Sequence, residues 1–438
     1  MSIEHIIIAL KNRKETEVAK SVLEAFARSS SIYEEYDDLA KSAYKIKEYS
    51  LAAKYGECAL GVANSDEKLF VARSNLIKVY TTINQPEKAM TLIAENEAAS
   101  PQDSDTQLEK SFAYFLMNEK SNAEKILITE LGRDDIPQET KEKIRFNLGT
   151  HKMCRGEFLS GMSASILGGQ SLGGKKPIKL SGEYWSGQPA VGRDILVVGE
   201  AGIGDEIINI RFCKNLKSMG MNPVWFTDRK DIGQVFENSG FNVIYSLNDR
   251  PKNSLWTTSM ALPIYLNLDH TSLWESPYIF AEEKYVDKYK HLKGKIGIRW
   301  QGNPEYDQDL FRSIPLDQIV PIFTNKNKLV SLQRDTGLDE LNKFPSILDL
   351  SESMSTFNET LGILANLDIV ITSCTSIAHA AASMGKRTFI FVPIAAYYVW
   401  NHPSEQSPWY GSNVTILRQT HPRDWTVPIN QLKNLMVK

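Results

Sequence analysis

The sequence predicts an α plus α/β fold, helical repeats followed by two α/β halves, and three observations carry that prediction. Over the first third, apolar residues recur at helical spacing with almost no strand signal and very little proline. From residue 194 onward, short apolar strands alternate with helical stretches in the manner of parallel sheets. A glycine-rich run separates the two patterns. The expected division is a helical repeat domain over 1–165, a linker over 166–193, a first α/β half over 194–293 and a second over 294–438.

Within 1–165, small residues also recur at a longer period. Ala89 and Ala123 are 34 positions apart, and each follows a tyrosine, Tyr80 or Tyr114, by nine. This matches the tetratricopeptide pattern, in which an aromatic of the first helix packs beside a small residue of the second, and Pro101 falls where such a repeat ends. A looser copy centres on Ala52 and Ala59, and a last one starts at Leu148-Gly149 with Gly156 at its turn. A non-repeating bundle would be equally helical. Such stacks offer a concave face to a peptide, a partner or a second copy, and no residue in this one has a chemical character.

The linker, ILGGQSLGGKKPIKLSGEYWSGQPAVGR, has too much glycine and proline for a regular element. Trp185 within it is expected to pack on the following domain rather than meet a ligand. The first half then reads as strand DILVVG, loop EAGIGDE, helix IINIRFCKNLKSMG, strand PVWFTD, helix DIGQVFENSG and strand FNVIY. The second begins at Lys295 with IGIRW and the loop QGNPEYDQDLFRSIP. It continues through KLVSLQ, SILDL, helix FNETLGILANL, strand DIVITS, helix SIAHAAASMG and strand RTFIFVP. Ligands of open α/β sheets bind beyond the carboxyl ends of strands, which directs attention to the loops after VVG, IRW, SLQ and ITS. Two halves facing each other make a cleft suited to a two-substrate reaction.

Composition narrows the class. At 438 residues, 42% apolar and 24% charged, the chain is long enough for two or three domains of ordinary soluble type. A net charge of −3 disfavours broad nucleic-acid binding, though a local basic groove fits within a neutral total. Cys58, Cys154, Cys213 and Cys374 form no CxxC pair, so neither a zinc site nor a disulfide framework is signalled and a reducing compartment fits. The apolar run Ile6 to Leu10 is too short for a membrane span or a secretion signal. The expectation is a cytoplasmic protein.

The most telling stretch is ITSCTSIAHAAASMG. Strand LDIVIT ends at Ser373, Thr375 and Ser376 stand where a helix begins, and His379 follows one turn later on the same face. Unpaired N–H groups and the helix dipole make such a start a natural seat for a diphosphate; a plain helix cap is the competing reading. In GEAGIGDE, Gly202 and Gly204 permit close backbone approach, but the order G-x-x-G-x-G is not the dinucleotide fingerprint. Asp205 is either a helix cap or a base whose pKa rises on desolvation. Arg312 and Arg334 lie just past strand ends, where a guanidinium binds phosphate through paired hydrogen bonds; for Arg334 a solvated side chain is the stronger reading. Gln333 and Asn303 either read a base or sugar through their amides or serve as turn residues. His379 either donates to a phosphate or completes the packing of its helix.

In order, WQGNP with RSIPL, SLQ, LDIVITSCTSIAHAAASMGK, VP, SPWY and LRQ with DW resemble the carboxyl half of tetratricopeptide proteins that carry a glycosyltransferase domain. These are similar to the family nine heptosyltransferases and related to the O-linked N-acetylglucosamine transferases. The resemblance begins at the last repeat, takes in EYWSGQPAVGRDILVVGEAGIGDEI and runs to about residue 425. It implies a GT-B fold of two Rossmann-like domains, with no metal ion and no cofactor. A nucleotide-sugar co-substrate would be held mainly by the second half. It further implies that Asp205 is the base of an inverting transfer, that Arg312 binds the donor diphosphate, and that Thr375, Ser376 and His379 form part of the donor seat. The family has an Asp immediately before the Thr of this motif; here Cys374 stands in that place, removing a carboxylate that in relatives helps hold the donor sugar.

Two functions follow as expectations. One is an inverting glycosyltransferase acting on a hydroxyl of a protein bound by the repeats, a glycan or a modified nucleic-acid base, the last disfavoured by charge. The other is a catalytically silent transferase fold on a repeat scaffold, which binds a partner or nucleotide and which Cys374 supports.

Overall fold

A computed structural model of the protein describes residues 3–13, 15–167, 180–273, 276–306 and 309–437. Residues 168–179 of the expected linker lie outside the described residues. Contacts divide the chain into two compact units: Met1–Ile136 with His421–Arg423, and Pro137–Thr420 with Asp424–Lys438.

The first unit is helical. After helices Ile3–Asn12 and Thr16–Ala27 come three hairpins: Tyr33–Lys45 with Tyr49–Val62, Asp66–Thr82 with Pro86–Ala99, and Ser104–Leu116 with Lys120–Leu131. Helix starts follow local chemistry. Ser65 accepts a hydrogen bond from the Lys68 N–H at 3.3 Å, Asp103 accepts from Thr106 at 2.8 Å, and Pro86 occupies a first-turn position that needs no N–H. Each hairpin turns on one left-handed residue, Lys47 (φ 65°), Asn84 (φ 56°) or Asn118 (φ 63°). The following N–H then reaches back five residues, from Glu48 to Ala43, Gln85 to Tyr80 and Glu119 to Tyr114, at 2.8–2.9 Å. This is one Schellman turn used three times. Ala89 is fully buried in a cluster with Tyr80, Leu76, Ile77 and Ile93.

A fourth hairpin, Gln138–Cys154 with Phe158–Met162, turns in the same way at Gly156 (φ 86°) but belongs to the second unit. Met153, Phe158 and Met162 are buried in that unit's core, and the Phe158 ring meets Trp409 edge-on at 5.4 Å. The two compact units therefore divide at 136, because the α/β core claims the apolar face of this hairpin.

The second unit holds two sheets. The first is a four-stranded parallel sheet of β1 (Asp194–Val198), β2 (Asn222–Phe226), β3 (Val243–Ile244) and β4 (Leu255–Thr258), in the order β3-β2-β1-β4. Ile195 to Val198 are fully buried, which explains why β1 is a continuous apolar run rather than an alternating one. Trp185, buried as expected, donates its backbone N–H to the Trp256 carbonyl at 2.8 Å and ties the end of the linker to β4.

The second sheet contains β5 (Ile296–Arg299), β6 (Leu329–Ser331), β7 (Leu348–Asp349), β8 (Ile369–Ser373), β9 (Arg387–Val392), β10 (Gln406–Ser407) and β11 (Gly411–Arg418). Their order is β10-β11-β9-β8-β5-β6-β7, parallel except for the β10–β11 pair. Strands β4, β10 and β11 and the final helix Thr426–Val437 add to the elements expected from sequence. All loops singled out as chemical leave carboxyl ends of parallel strands.

Candidate active site

The loop after β1 delivers Asp205. Its chain bends at Ala201, a non-glycine residue at φ 58°, before helix Ile203–Asn209 starts at Gly202. Such a backbone costs about 1 kcal/mol or more and is held by its surroundings. Arg229 donates to the Ala201 carbonyl at 2.8 Å and pairs with the buried carboxylate of Glu206. Asp205 caps its own helix, its Oδ2 accepting the Gly202 N–H at 3.0 Å, so the capping reading holds for one oxygen. The other, Oδ1, accepts a hydrogen bond from the Tyr397 hydroxyl, which comes from the loop after β9 in the other sheet. Burial pushes the Asp205 carboxyl above the usual carboxylate range, against the opposing pull of the Tyr397 and Gly202 hydrogen bonds. Glu200, half-buried nearby, is also pushed up by burial, while its Oε2 accepts the Met260 N–H at 3.1 Å.

The loop after β8 delivers Thr375, Ser376 and His379. Thr375 is the N-cap residue of helix Ser376–Ser383, yet its side chain does not cap; its hydroxyl lies 3.3 Å from that of Thr372. Ser376 is half-buried at the helix start. His379 is buried, stacks on Trp400 at 4.9 Å and 14°, and has Nδ1 3.0 Å from the Tyr410 hydroxyl. Burial, with the Arg211 and Arg312 charges, pushes it down to about 3, so the ring is neutral at physiological pH. Gly204 joins the two sheets' helices: a Cβ on it would stand 3.0 Å from His379 Cδ2 and 3.7 Å from Ser376 Cα. Asp205 and the helix start at Ser376, from different sheets and far apart in sequence, therefore sit side by side.

Arg312 reaches the same place. Its Nη1 donates to the Cys374 carbonyl at 2.7 Å and its Nε to Asp309 at 2.8 Å, and its guanidinium lies 4.5 Å from the Tyr306 ring centre. Cys374 is buried, and burial pushes its thiol up to about 11, so it carries no charge in place of a carboxylate. Gln333 is fully buried and its amide is engaged: Oε1 accepts the Gln301 N–H, and Nε2 donates to the Gln301 and Thr336 carbonyls. Asn303 is exposed and forms an Asx turn, accepting the Glu305 N–H at 3.0 Å. Arg334 is exposed.

Four residues that sequence reasoning passed over belong to this region. Arg299 ends β5, donates to the Leu332 carbonyl at 3.0 Å, and is pushed down to about 10 by burial and by Arg312 and Arg334. Its signal was a cation closing an apolar strand. Arg211, buried, donates to the carbonyls of Ile208, Leu273 and Trp409 and to the Tyr278 hydroxyl, with its guanidinium 4.5 and 4.6 Å from the Tyr278 and Tyr410 ring centres. Tyr306 and Tyr397 had no signal beyond being aromatic residues in loops. Among the described residues no group of histidine, cysteine and carboxylate side chains is arranged to hold a metal, and no helix is long and apolar enough to cross a membrane.

Neither a protein-family model nor a curated protein sequence matches the chain. Solved structures that resemble it are glycosyltransferases, at low similarity. Heptosyltransferase WaaC of E. coli, solved with ADP, is 9% identical with a TM-score of 0.39, covering 56% of this chain and 99% of its own. A family 9 glycosyl transferase from Veillonella parvula is 10% identical with a TM-score of 0.37, over 58% of this chain and 92% of its own. A mutant O-GlcNAc transferase from Thermobaculum terrenum is 10% identical with a TM-score of 0.37, over 99% of this chain and 88% of its own.

Proposed function

We propose that this protein is an inverting glycosyltransferase of GT-B type, a cytoplasmic enzyme that moves a sugar from a nucleotide-sugar donor to an acceptor hydroxyl without a metal ion. One observation carries the reading: a desolvated carboxylate from one parallel sheet, Asp205, lies beside a helix start from the other, Ser376, with Arg312 bound to the carbonyl just before that helix. Asp205 takes the proton of the acceptor hydroxyl. The freed oxygen attacks the anomeric carbon as its bond to the diphosphate breaks. Charge then grows on the leaving phosphate, where Arg312 and the first-turn N–H groups after Thr375 are fixed in advance. Arg299, close enough to feel the Arg312 charge, adds to the positive field there. Gln333 acts by bracing the loop that holds Gln301, and Asn303 by shaping the turn toward Tyr306. In the helical unit, the repeats are the surface that engages a protein acceptor.

A second reading has one observation in its favour. Cys374 is neutral where the resemblance expects a carboxylate, and Arg312 is already bound to Asp309, as in a silent fold that only binds a nucleotide or partner. Incubation with a panel of nucleotide sugars separates the two: the transferase releases nucleoside diphosphate by slow donor hydrolysis, and the silent fold releases none above buffer. Asp205→Asn should keep donor binding and lose transfer, and undiminished turnover in that variant removes the assigned base.

A further inference from the structure

We propose that Tyr397 is a positioning residue for Asp205: its phenolic O–H, presented by the second sheet, anchors Oδ1 of the first sheet's carboxylate, so the base is assembled only while the two sheets hold this arrangement. The inference rests on Asp205 being the base. Both carboxylate oxygens are spoken for, Oδ1 by Tyr397 and Oδ2 by the Gly202 N–H at 3.0 Å, which fixes the carboxylate plane from two directions. An ionised carboxylate has about four lone-pair sites, so Oδ1 keeps one for an acceptor proton.

Tyr397 is itself held. Its ring meets Tyr398 edge-on at 4.5 Å, and Tyr398 meets Trp409 at 5.7 Å, the same Trp409 whose carbonyl binds Arg211. Burial and the Asp205 charge push the phenol well above its usual range, so it is protonated and a donor at neutral pH. Titratable groups from both sheets bear on Asp205. Glu200 and Glu206 come from its own sheet, and Tyr397, Tyr398 and Cys374 from the other. Of these, Tyr397 is the side chain that donates to Asp205 and opposes the effect of burial. Its hydroxyl favours the ionised form, and without it desolvation acts on Asp205 with less opposition.

The test is Tyr397→Phe, which keeps the ring and its packing and deletes one oxygen. Aspartate carboxyl carbons are labelled with ¹³C, the Asp205 signal is identified as the one lost in Asp205→Asn, and its titration midpoint is read in wild type and in Tyr397→Phe. The expected shift is upward by about one pH unit. In turnover with the donor that the panel identifies, the acid limb of the pH profile should move up by the same amount. At neutral pH kcat should fall roughly tenfold with the donor KM unchanged, the split expected of a group that aligns a base without touching substrate. An unmoved midpoint overturns the anchor. A moved midpoint with unaltered kcat and pH profile overturns the catalytic part of the inference. A moved midpoint in Tyr397→Phe, with a wild-type protein that turns over no nucleotide sugar, overturns the transferase reading instead, and leaves the bond as a tie between the sheets.

Discussion

Gly204 and His379, from helices of different sheets, touch so closely that a methyl group on the glycine would stand 3.0 Å from the histidine ring. The glycine is there for space: its φ is not in the left-handed region. Gly204→Val should therefore push the helices Ile203–Asn209 and Ser376–Ser383 apart, destabilising the second unit by about 1–3 kcal/mol and misplacing Asp205 one residue away. Urea unfolding followed by tryptophan fluorescence reads the first effect. A wild-type midpoint would mean that the contact yields freely.

Arg211 makes a second tie between the sheets, and its removal tests how much a buried cation contributes when carbonyls and rings surround it. Arg211→Met keeps most of the volume but strips the Ile208, Leu273 and Trp409 carbonyls and the Tyr278 hydroxyl of a shared donor. Leaving buried acceptors short of partners should destabilise by about 3 kcal/mol. Because the Arg211 charge also holds His379 down, the His379 titration should move upward in this variant. A stability loss below about 0.5 kcal/mol would place Arg211 among ordinary surface-type cations.

The parts legible in sequence were those whose cause is local. Strands β1 and β8 are uninterrupted apolar runs, and the step from Ser373 through Thr375 to a small-residue helix marks a strand-to-helix turn by composition alone. Strand β11 escaped notice because Gly411–Arg418 is only partly buried and its pattern is broken by polar residues, and β4 is four residues with Trp256 among threonines. In the site, Asp205, Arg312, Thr375, Ser376 and His379 carry recognisable neighbours in the chain. Tyr397 and Arg211 do not, since their defining partners lie 192 and 198 residues away. The fourth hairpin shows the same division: its repeat pattern is local, but the core that claims Phe158 is not.

The neutral state of His379 makes a pH prediction. Its folded pKa, about 3, lies below the unfolded value near 6.5, so it contributes stability above pH 6.5 that is lost as pH falls toward 3. Between pH 7 and pH 5 this amounts to about 2 kcal/mol. His379→Phe keeps the stacking on Trp400 and removes the titration. Its stability should fall less over that interval than wild type by about that amount, even if it starts lower because the Tyr410 contact is gone. His270 and His402 titrate in both proteins and cancel in the difference. Parallel pH curves would show that His379 does not titrate in this way.

The recurring Schellman turn offers a backbone test that needs no ligand. Lys47, Asn84, Asn118 and Gly156 occupy equivalent left-handed positions, and only the last is glycine. A β-carbon in this region costs about 1 kcal/mol, less for asparagine, whose short polar side chain tolerates it. Lys47→Gly should therefore stabilise the helical unit by up to about 1 kcal/mol, and Asn84→Gly and Asn118→Gly by less, as glycine's extra freedom in the unfolded chain offsets part of the gain. Gly156→Ala should move the other way by about 1 kcal/mol, and it isolates the backbone term because the added methyl would meet nothing nearer than 3.6 Å. Thermal unfolding of the four variants gives the order directly. If Lys47→Gly is neutral or destabilising while Gly156→Ala is tolerated, the turns are not equivalent and the hairpins share only their length.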